Sequence, residues 1–349
     1  MITPVQYNTN FYPKKYNTSP QSFRGGCSLS SVGKIEKTSR KIEFMGRVIF
    51  NKIAGLFNKN KNKELYNEFL VTDTKSPEYI DVLSRVSRQY LGKKNLEVNF
   101  ENNRITNLAK SGKPHIFIMN HDSQAKDPQM LAAFNTLLND EYLALGLAKT
   151  CPRPRIILNE DILLSMNERN RNIFEKMGSV GIDASIHDAD TKGNTKKFIK
   201  LMREFLKGEV NIFIFPEGKN SINKSRSLAE KFQLGVAEMV ARLTGRVPEV
   251  NVTPLGFAYG KKSQVDGIHI GKTIKFRKEG DNIVSSVGNI GSEFASEGYK
   301  NFFKNRSEAI LTEKGVPVKG KEQAEYIGGV LCENLRICKE EAKKSISNQ

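Results

Sequence analysis

Of the four histidines in the chain, His121 stands where a side chain could move a proton. It follows the apolar run HIFIMN at 115–120, which reads as a buried strand ending in a loop. Five residues, DSQAK, separate it from Asp127, which together with Pro128 opens a helical pattern of Met130, Leu131, Phe134, Leu137 and Leu138. Asp is a good helix N-cap and Pro a good first helical residue, so strand, loop and helix bring His121 and Asp127 near each other. Imidazole changes charge near neutral pH, and a carboxylate on one ring nitrogen orients the ring and stabilises its protonated form. Ser123 shares the loop but lacks a G-x-S-x-G elbow, so the pair reads as a base acting on a hydroxyl of the substrate rather than on a protein nucleophile. The plainer alternative is that Asp127 only caps its helix and His121 is a polar loop residue.

A second loop leaves a second apolar strand in IFIFPEGKNS, 212–221. Gly218 permits close approach of backbone to a ligand, Lys219 can pair with phosphate, and Asn220 and Ser221 can donate or accept hydrogen bonds. With Glu217 these residues suit an anionic or polyhydroxylated ligand, although an ordinary Pro-Gly turn has the same composition. In FEKMGSVGIDAS, 174–185, Gly178 and Gly181 mark bends ahead of Ile182 and Asp183, with neither a Walker loop nor a dinucleotide fingerprint. By itself that segment reads as a turn. His187 and His269 read as surface or structural residues, and His115 as the first residue of its strand.

The elements that must position these loops follow from periodicity. Residues 1–38 have no helical or strand period and read as a flexible leader; 39–94 read as a helical region, with amphipathic helices over 42–57 and 78–92. The lysines beside the apolar face of the first suit either packing on the domain or an anionic interface. Strands are expected at 96–100, 115–120, 142–148, 155–158, 210–215 and 250–257, with 268–276 as a hairpin or edge strand. Helices are expected from 127, over 194–207 with Gly208 as C-cap, over 228–243 and over 320–345. Strands alternating with helices predict an α/β fold: a three-layer domain over 95–310 with a mixed, mostly parallel central sheet flanked by helices, preceded by the small helical region and followed by a C-terminal helical segment, 311–349.

Composition narrows the function. In 349 residues, 55 basic and 38 acidic side chains give a formal charge of +17, which attracts anionic partners such as a membrane surface or a phosphorylated substrate. No recognition helix, zinc framework or aromatic-basic sheet motif supports specific nucleic-acid binding. The four cysteines are too scattered for a disulfide scaffold or a metal cluster, and no metal is expected. There is neither an apolar span of about 20 residues nor a signal peptide, so the expected location is the cytoplasm, peripheral on the membrane face.

The ordered blocks NH…DP, G-x-x-x-I-D, FPEG-K-N-S and VTPLGF resemble those of the glycerophospholipid acyltransferases, the class that includes 1-acylglycerol-3-phosphate acyltransferases, over about residues 95–280. The resemblance implies that His121 takes the proton of a glycerol hydroxyl that attacks an acyl thioester on coenzyme A or acyl carrier protein, with Asp127 orienting the ring. It further implies that Glu217 and Gly218 shape the acceptor site, that Lys219, where the family usually has Thr followed by Arg, partly replaces the missing basic group in holding phosphate, and that Ser221 supports that loop; Asn220, Gly178 and Asp183 are counted with the substrate site. No cofactor beyond the thioester co-substrate is implied. The implied product is phosphatidic acid from 1-acylglycerol-3-phosphate; the alternatives are acylation of glycerol 3-phosphate or another lysolipid, or a disabled membrane-binding homologue. A helical region ahead of the catalytic domain is also similar to the soluble plastid type of glycerol-3-phosphate acyltransferase. This chain departs twice from the family pattern: five residues rather than four separate His121 from Asp127, and Ala184 follows Asp183 where the family usually has Arg. Lys149, Arg153, Arg155 and Lys176 are the candidates to replace that missing cation.

Overall fold

Alternation along the apolar runs builds a sheet with a packed layer on each face. The computed structural model describes residues 60–91, 96–99, 104–123, 126–164, 166, 168–182, 191–217, 228, 232, 235–260, 266–280, 282–287, 316–317 and 321–347. The leader and the 42–57 helix lie outside the described residues, as do Asp183 and Gly218 to Ser221.

Strand β2 (His115–Met119) is buried along its whole length. Successive side chains point to opposite faces of a strand, so Phe117 and Met119 enter one core while Ile116 and Ile118 enter the other. The first core is closed by α2 (Glu78–Leu91), α3 (Arg104–Ser111) and α4 (Asp127–Ala144), preceded by α1 (Asn60–Val71). The second is closed by α7 (Thr191–Leu206), α8 (Gly235–Thr244) and α9 (Lys321–Ser347). Among the described residues, α5 (Glu160–Leu164) and α6 (Glu168–Lys176) connect β3 (Arg153–Asn159) to β4 (Ser179–Ile182).

Five strands run parallel in the order β6 (Val250–Ala258), β2, β5 (Val210–Ile214), β3 (Arg153–Asn159), β4 (Ser179–Ile182). Burial on both faces explains why β2 and β5 read as largely continuous apolar runs rather than alternating ones. Across β6 the sheet continues antiparallel through β8 (Ile274–Glu279), β9 (Asn282–Ser285) and β10 (Val316–Pro317). Strand β7 (Asp266–Ile270) pairs antiparallel with β6 and parallel with β1 (Leu96–Asn99). The result is the expected α/β architecture, a mostly parallel central sheet between helical layers, with helices ahead of it. No described helix is long and apolar enough to cross a membrane.

Two expectations are corrected. The apolar stretch 142–148 is not a strand: Tyr142 extends the buried face of α4, and the N–H groups of Leu145 and Leu147 turn back onto the carbonyls of Glu141 and Tyr142 at 3.0 and 2.8 Å. Helical and strand periods cannot be separated over so short an apolar run. The stretch 268–276 is not a hairpin either. Ile270 pairs with Leu255 and Ile274 with Val252, while Gly271 N–H reaches the Pro254 carbonyl at 2.9 Å. The chain therefore keeps its direction along one edge of β6 through the Gly-Lys-Thr segment.

Helix α9 lies directly on β6 because Gly256 has no side chain: a Cβ there would overlap the Cys338 carbonyl and crowd the Lys339 nitrogen. Gly256→Ala is accordingly expected to cost about 1–3 kcal/mol in urea unfolding, the usual penalty for overpacking. Unchanged stability would mean that the helix has room to yield.

Candidate active site

The carboxyl ends of the parallel strands carry the site. His121 follows β2 by two residues, and three contacts fix it, two from the segment after β5 and one from the start of α4. Its main-chain N–H donates to Glu217 Oε1 at 2.6 Å, tying it to the turn after β5. Its ring packs on Phe215, centroids 4.8 Å apart and tilted by 37°, and Phe215 in turn packs on Phe257 of β6. Its Nδ1 makes a close hydrogen bond with Asp127 Oδ2. The extra residue in the loop therefore leaves the pairing intact: Ser123 carbonyl accepts the N–H groups of Lys126 and Asp127 at 3.1 and 2.8 Å, folding the loop back on itself.

Asp127 is the first residue of α4 rather than its cap, which is Lys126, and the cap residue makes no side-chain cap bond. This corrects the N-cap reading, and the reason lies in what the carboxylate accepts. Oδ2 takes His121 and, at 3.1 Å, the Ser123 N–H; Oδ1 takes the Tyr259 hydroxyl. The Asp127 side chain is 1% exposed and that of His121 18%, so the carboxylate is closed off while the imidazole still meets solvent. Burial pushes the Asp127 carboxyl above its ordinary pKa, with the His121 hydrogen bond and charge and the Ser123 N–H pulling it back.

A carboxylate accepting at Nδ1 places the imidazole proton there and leaves the Nε2 lone pair unprotonated. The pair can therefore withdraw a proton from a hydroxyl that approaches Nε2, and the Asp127 charge stabilises the imidazolium that forms.

Several supporting residues carry no signal of their own in the sequence. Asn120, fully buried, accepts the Phe257 N–H at Oδ1 (2.6 Å) and donates from Nδ2 to the Phe257 carbonyl (3.0 Å), so a side chain extends the β2–β6 pairing to the residue before His121. The same Nδ2 donates to Asp122 Oδ2 at 3.0 Å. Asp122 is also paired with Lys339 of α9 at 2.7 Å, across 217 residues of chain. Lys126 pairs with Asp266 at 2.7 Å and stands over the Tyr259 ring, 5.6 Å from its centroid. Asn120 precedes His121 and Tyr259 follows VTPLGFA, so position alone could have pointed to these two; nothing in the sequence links Lys339 to this loop.

Of the other expected site residues, Glu217 is brought to the site, buried and bound to the backbone of His121. Gly178 is not. It precedes β4, level with Arg155, Ile212 and Ile116, about 15 Å back along the strands from His121. There it takes φ +96°, and a Cβ would overlap the Pro154 carbonyl, so its glycine serves the turn into the sheet. The candidate replacement cations are also elsewhere: Arg153 and Arg155 pair with Glu209 and Glu204 at the start of β3, and Lys176 donates to the Thr72 carbonyl. Lys149 lies in the exposed turn before β3.

Three described cysteines, Cys151, Cys332 and Cys338, are buried and their thiols are pushed up to about 12, chiefly by burial. That environment keeps them protonated and unreactive at neutral pH.

Residues 95–258 match the family model described as Acyltransferase. No curated protein matches the sequence. The matched stretch runs from β1 to the end of β6 and holds both His121 and Asp127; over it the chain carries a domain of the acyltransferase family, that of the PlsC-type glycerophospholipid acyltransferases, and is a transferase acting on lipids.

Proposed function

We propose that the enzyme moves a fatty acyl group from an acyl-coenzyme A or acyl carrier protein thioester to the free hydroxyl of 1-acylglycerol-3-phosphate, giving phosphatidic acid. The observation carrying this reading is the Nδ1 pairing of His121 with a buried Asp127, which leaves Nε2 as the base. Nε2 takes the hydroxyl proton as the oxygen attacks the thioester carbonyl. The tetrahedral species collapses with loss of the C–S bond, and the departing thiolate receives the proton from the imidazolium. General-base assistance of this kind contributes about 10²–10⁴-fold. The thioester is already activated, so the reaction needs no redox group.

The excess of positive charge, +17 over the whole chain, supports action at an anionic membrane surface from the cytoplasmic side. Lys219, Asn220 and Ser221 belong to this reading as the phosphate-side loop, with Gly218 and Asp183 near the acceptor. Acylation of glycerol 3-phosphate itself is the second reading, supported by the helices α1 and α2 ahead of the domain.

Supplying radiolabelled acyl-coenzyme A with lysophosphatidic acid or glycerol 3-phosphate in separate reactions, and identifying each product by mass, tests the proposal. Phosphatidic acid as the main product is the expected result. Lysophosphatidic acid formed in preference would move the assignment to the second reading, and no acyl transfer to either acceptor with either type of donor would overturn both.

A further inference from the structure

Helix α4 starts against the turn that leaves β6, and that turn is fastened by contacts of its own. Asp266, the first residue of β7, accepts the Gly260 N–H at Oδ1 (3.1 Å), and the same oxygen takes Lys126 Nζ at 2.7 Å. Lys126 also donates to the Gly260 carbonyl at 3.2 Å and stands over the Tyr259 ring, 5.6 Å from its centroid. Ala258 of β6 pairs with Gly267 of β7, so Tyr259 and Asp266 are the neighbouring residues on the two chains. Strand pairing on one side and a cation over the ring face on the other hold the Tyr259 ring in place.

From there the Tyr259 hydroxyl donates to Asp127 Oδ1, the carboxylate oxygen that does not face His121. The Asp127 side chain is 1% exposed, so water does not stand in for this donor. Burial works against the charged form of Asp127, and a hydrogen bond to the carboxylate works for it. With Oδ1 taken by Tyr259 and Oδ2 by the Ser123 N–H at 3.1 Å, the carboxylate is oriented with Oδ2 toward His121 Nδ1. The described charged groups beside the pair are engaged elsewhere: Asp122 of the same loop with Lys339 of α9 at 2.7 Å, Glu217 after β5 with the His121 N–H, and Lys126 with Asp266. Tyr259 lies one residue beyond the stretch that matches the acyltransferase model, so the match assigns it nothing.

We propose that Tyr259 is a positioning residue for the acyl transfer, acting through Asp127: its hydroxyl fixes the carboxylate against His121 and shares the negative charge on which the imidazolium depends. The proposal rests on the reading of His121 as the base. The sign of the effect follows from charge. Taking a donor away from a buried anion makes the His121–Asp127 pair bind its proton more tightly, whichever atom of the pair carries it, because the two groups titrate as a unit. Without the hydroxyl the pair stays protonated, and inactive as a base, up to a higher pH.

Tyr259→Phe tests this, because it keeps the ring beneath Lys126 and removes only the hydroxyl. Steady-state kinetics across pH are measured with acyl-coenzyme A and whichever of lysophosphatidic acid and glycerol 3-phosphate the wild type acylates. The acid limb of kcat/KM is expected to move up by about one pH unit. On the plateau kcat should fall about tenfold with KM for the acceptor little changed. In an Asp127→Asn background the same substitution should lower kcat by less than about twofold, since the charge it serves is gone. An acid limb that stays in place, a rise in KM with kcat unchanged, or an equal loss in the Asp127→Asn background would overturn the proposal. His121→Ala separates it from the reading beneath: lost turnover there with a wild-type pH profile in Tyr259→Phe sinks the role of Tyr259 alone, whereas full turnover in His121→Ala removes the base and this proposal with it.

Discussion

Replacing His121 by Ala is expected to lower kcat by about 10²–10⁴-fold with little change in KM, because on the proposed mechanism it removes the group that takes the hydroxyl proton in the transition state and not one that holds the acceptor. Asp127→Asn should fall in the same range by a different route. Its amide oxygen can still accept from His121 and Ser123, and the Tyr259 hydroxyl can turn to accept from the amide nitrogen, so the ring stays in place but loses the charge that stabilises imidazolium. The two effects of Asp127→Asn on the protein should have opposite signs. Burial raises the Asp127 pKa in the folded state, so the stability this group contributes is fully present below its unfolded pKa and is lost as pH rises through the folded one. At neutral pH the wild type pays for an ionised buried carboxylate, and the asparagine variant is expected to unfold at the same temperature or higher. Steady-state kinetics and thermal unfolding of the same preparations check this. A variant that loses stability as heavily as activity would make Asp127 a structural residue and remove its assigned part in proton transfer.

Acid unfolding should be governed in large part by the histidine that opens the strand leading to His121. His115 is buried at the opposite end of β2, with Nδ1 at 3.0 Å from Thr253 Oγ1 and its N–H donating to Asn211 Oδ1 at 2.8 Å. Burial, with Lys113 and Lys275 nearby, lowers its pKa from 6.5 to about 3. A folded-state pKa below the unfolded value means that stability is fully present above pH 6.5 and is lost as pH falls toward 3. At about 1.4 kcal/mol per unit, the complete loss is about 4–5 kcal/mol, a large part of an ordinary domain's stability. Urea unfolding of the wild type should therefore weaken steeply between pH 6.5 and 4, while His115→Gln, which takes up no proton, should show a shallower slope. Parallel slopes would mean that His115 is protonated in the folded protein.

The site was legible where its chemistry lies close along the chain. The apolar run at 115–120, the loop after it and the helix from Asp127 define a strand, a turn and a helix start, and the contact between His121 and Asp127 follows from that order. The FPEG loop was legible for the same reason, since β5 runs parallel to β2 and ends beside it, bringing Glu217 to the His121 backbone. Contacts that depend on separation were not. Lys339 reaches Asp122 only because α9 packs across β6, and Gly256 matters only because that helix lies on it. The stretch 142–148 misled because an apolar segment of that length satisfies both periods, and its neighbours in α4 decide between them. Gly178 misled differently: a glycine in a matching block looks like part of a ligand site, whereas register puts it at the far end of the sheet.

By itself the sequence determined the alternation of strands and helices, the parallel core implied by its continuous apolar runs, and the two loops that leave that core. These follow from local periodicity and from the polar residues that terminate it, which need no knowledge of distant partners. Tertiary structure alone decided what surrounds two histidines six residues apart, His115 at the start of β2 and His121 in the loop beyond its end. His115 is enclosed by Thr253 and Asn211 and excluded from charge, and His121 is held by Asp127 with one nitrogen left open. A side chain's protonation depends on what surrounds it, and those surroundings come from elements scattered along the whole chain.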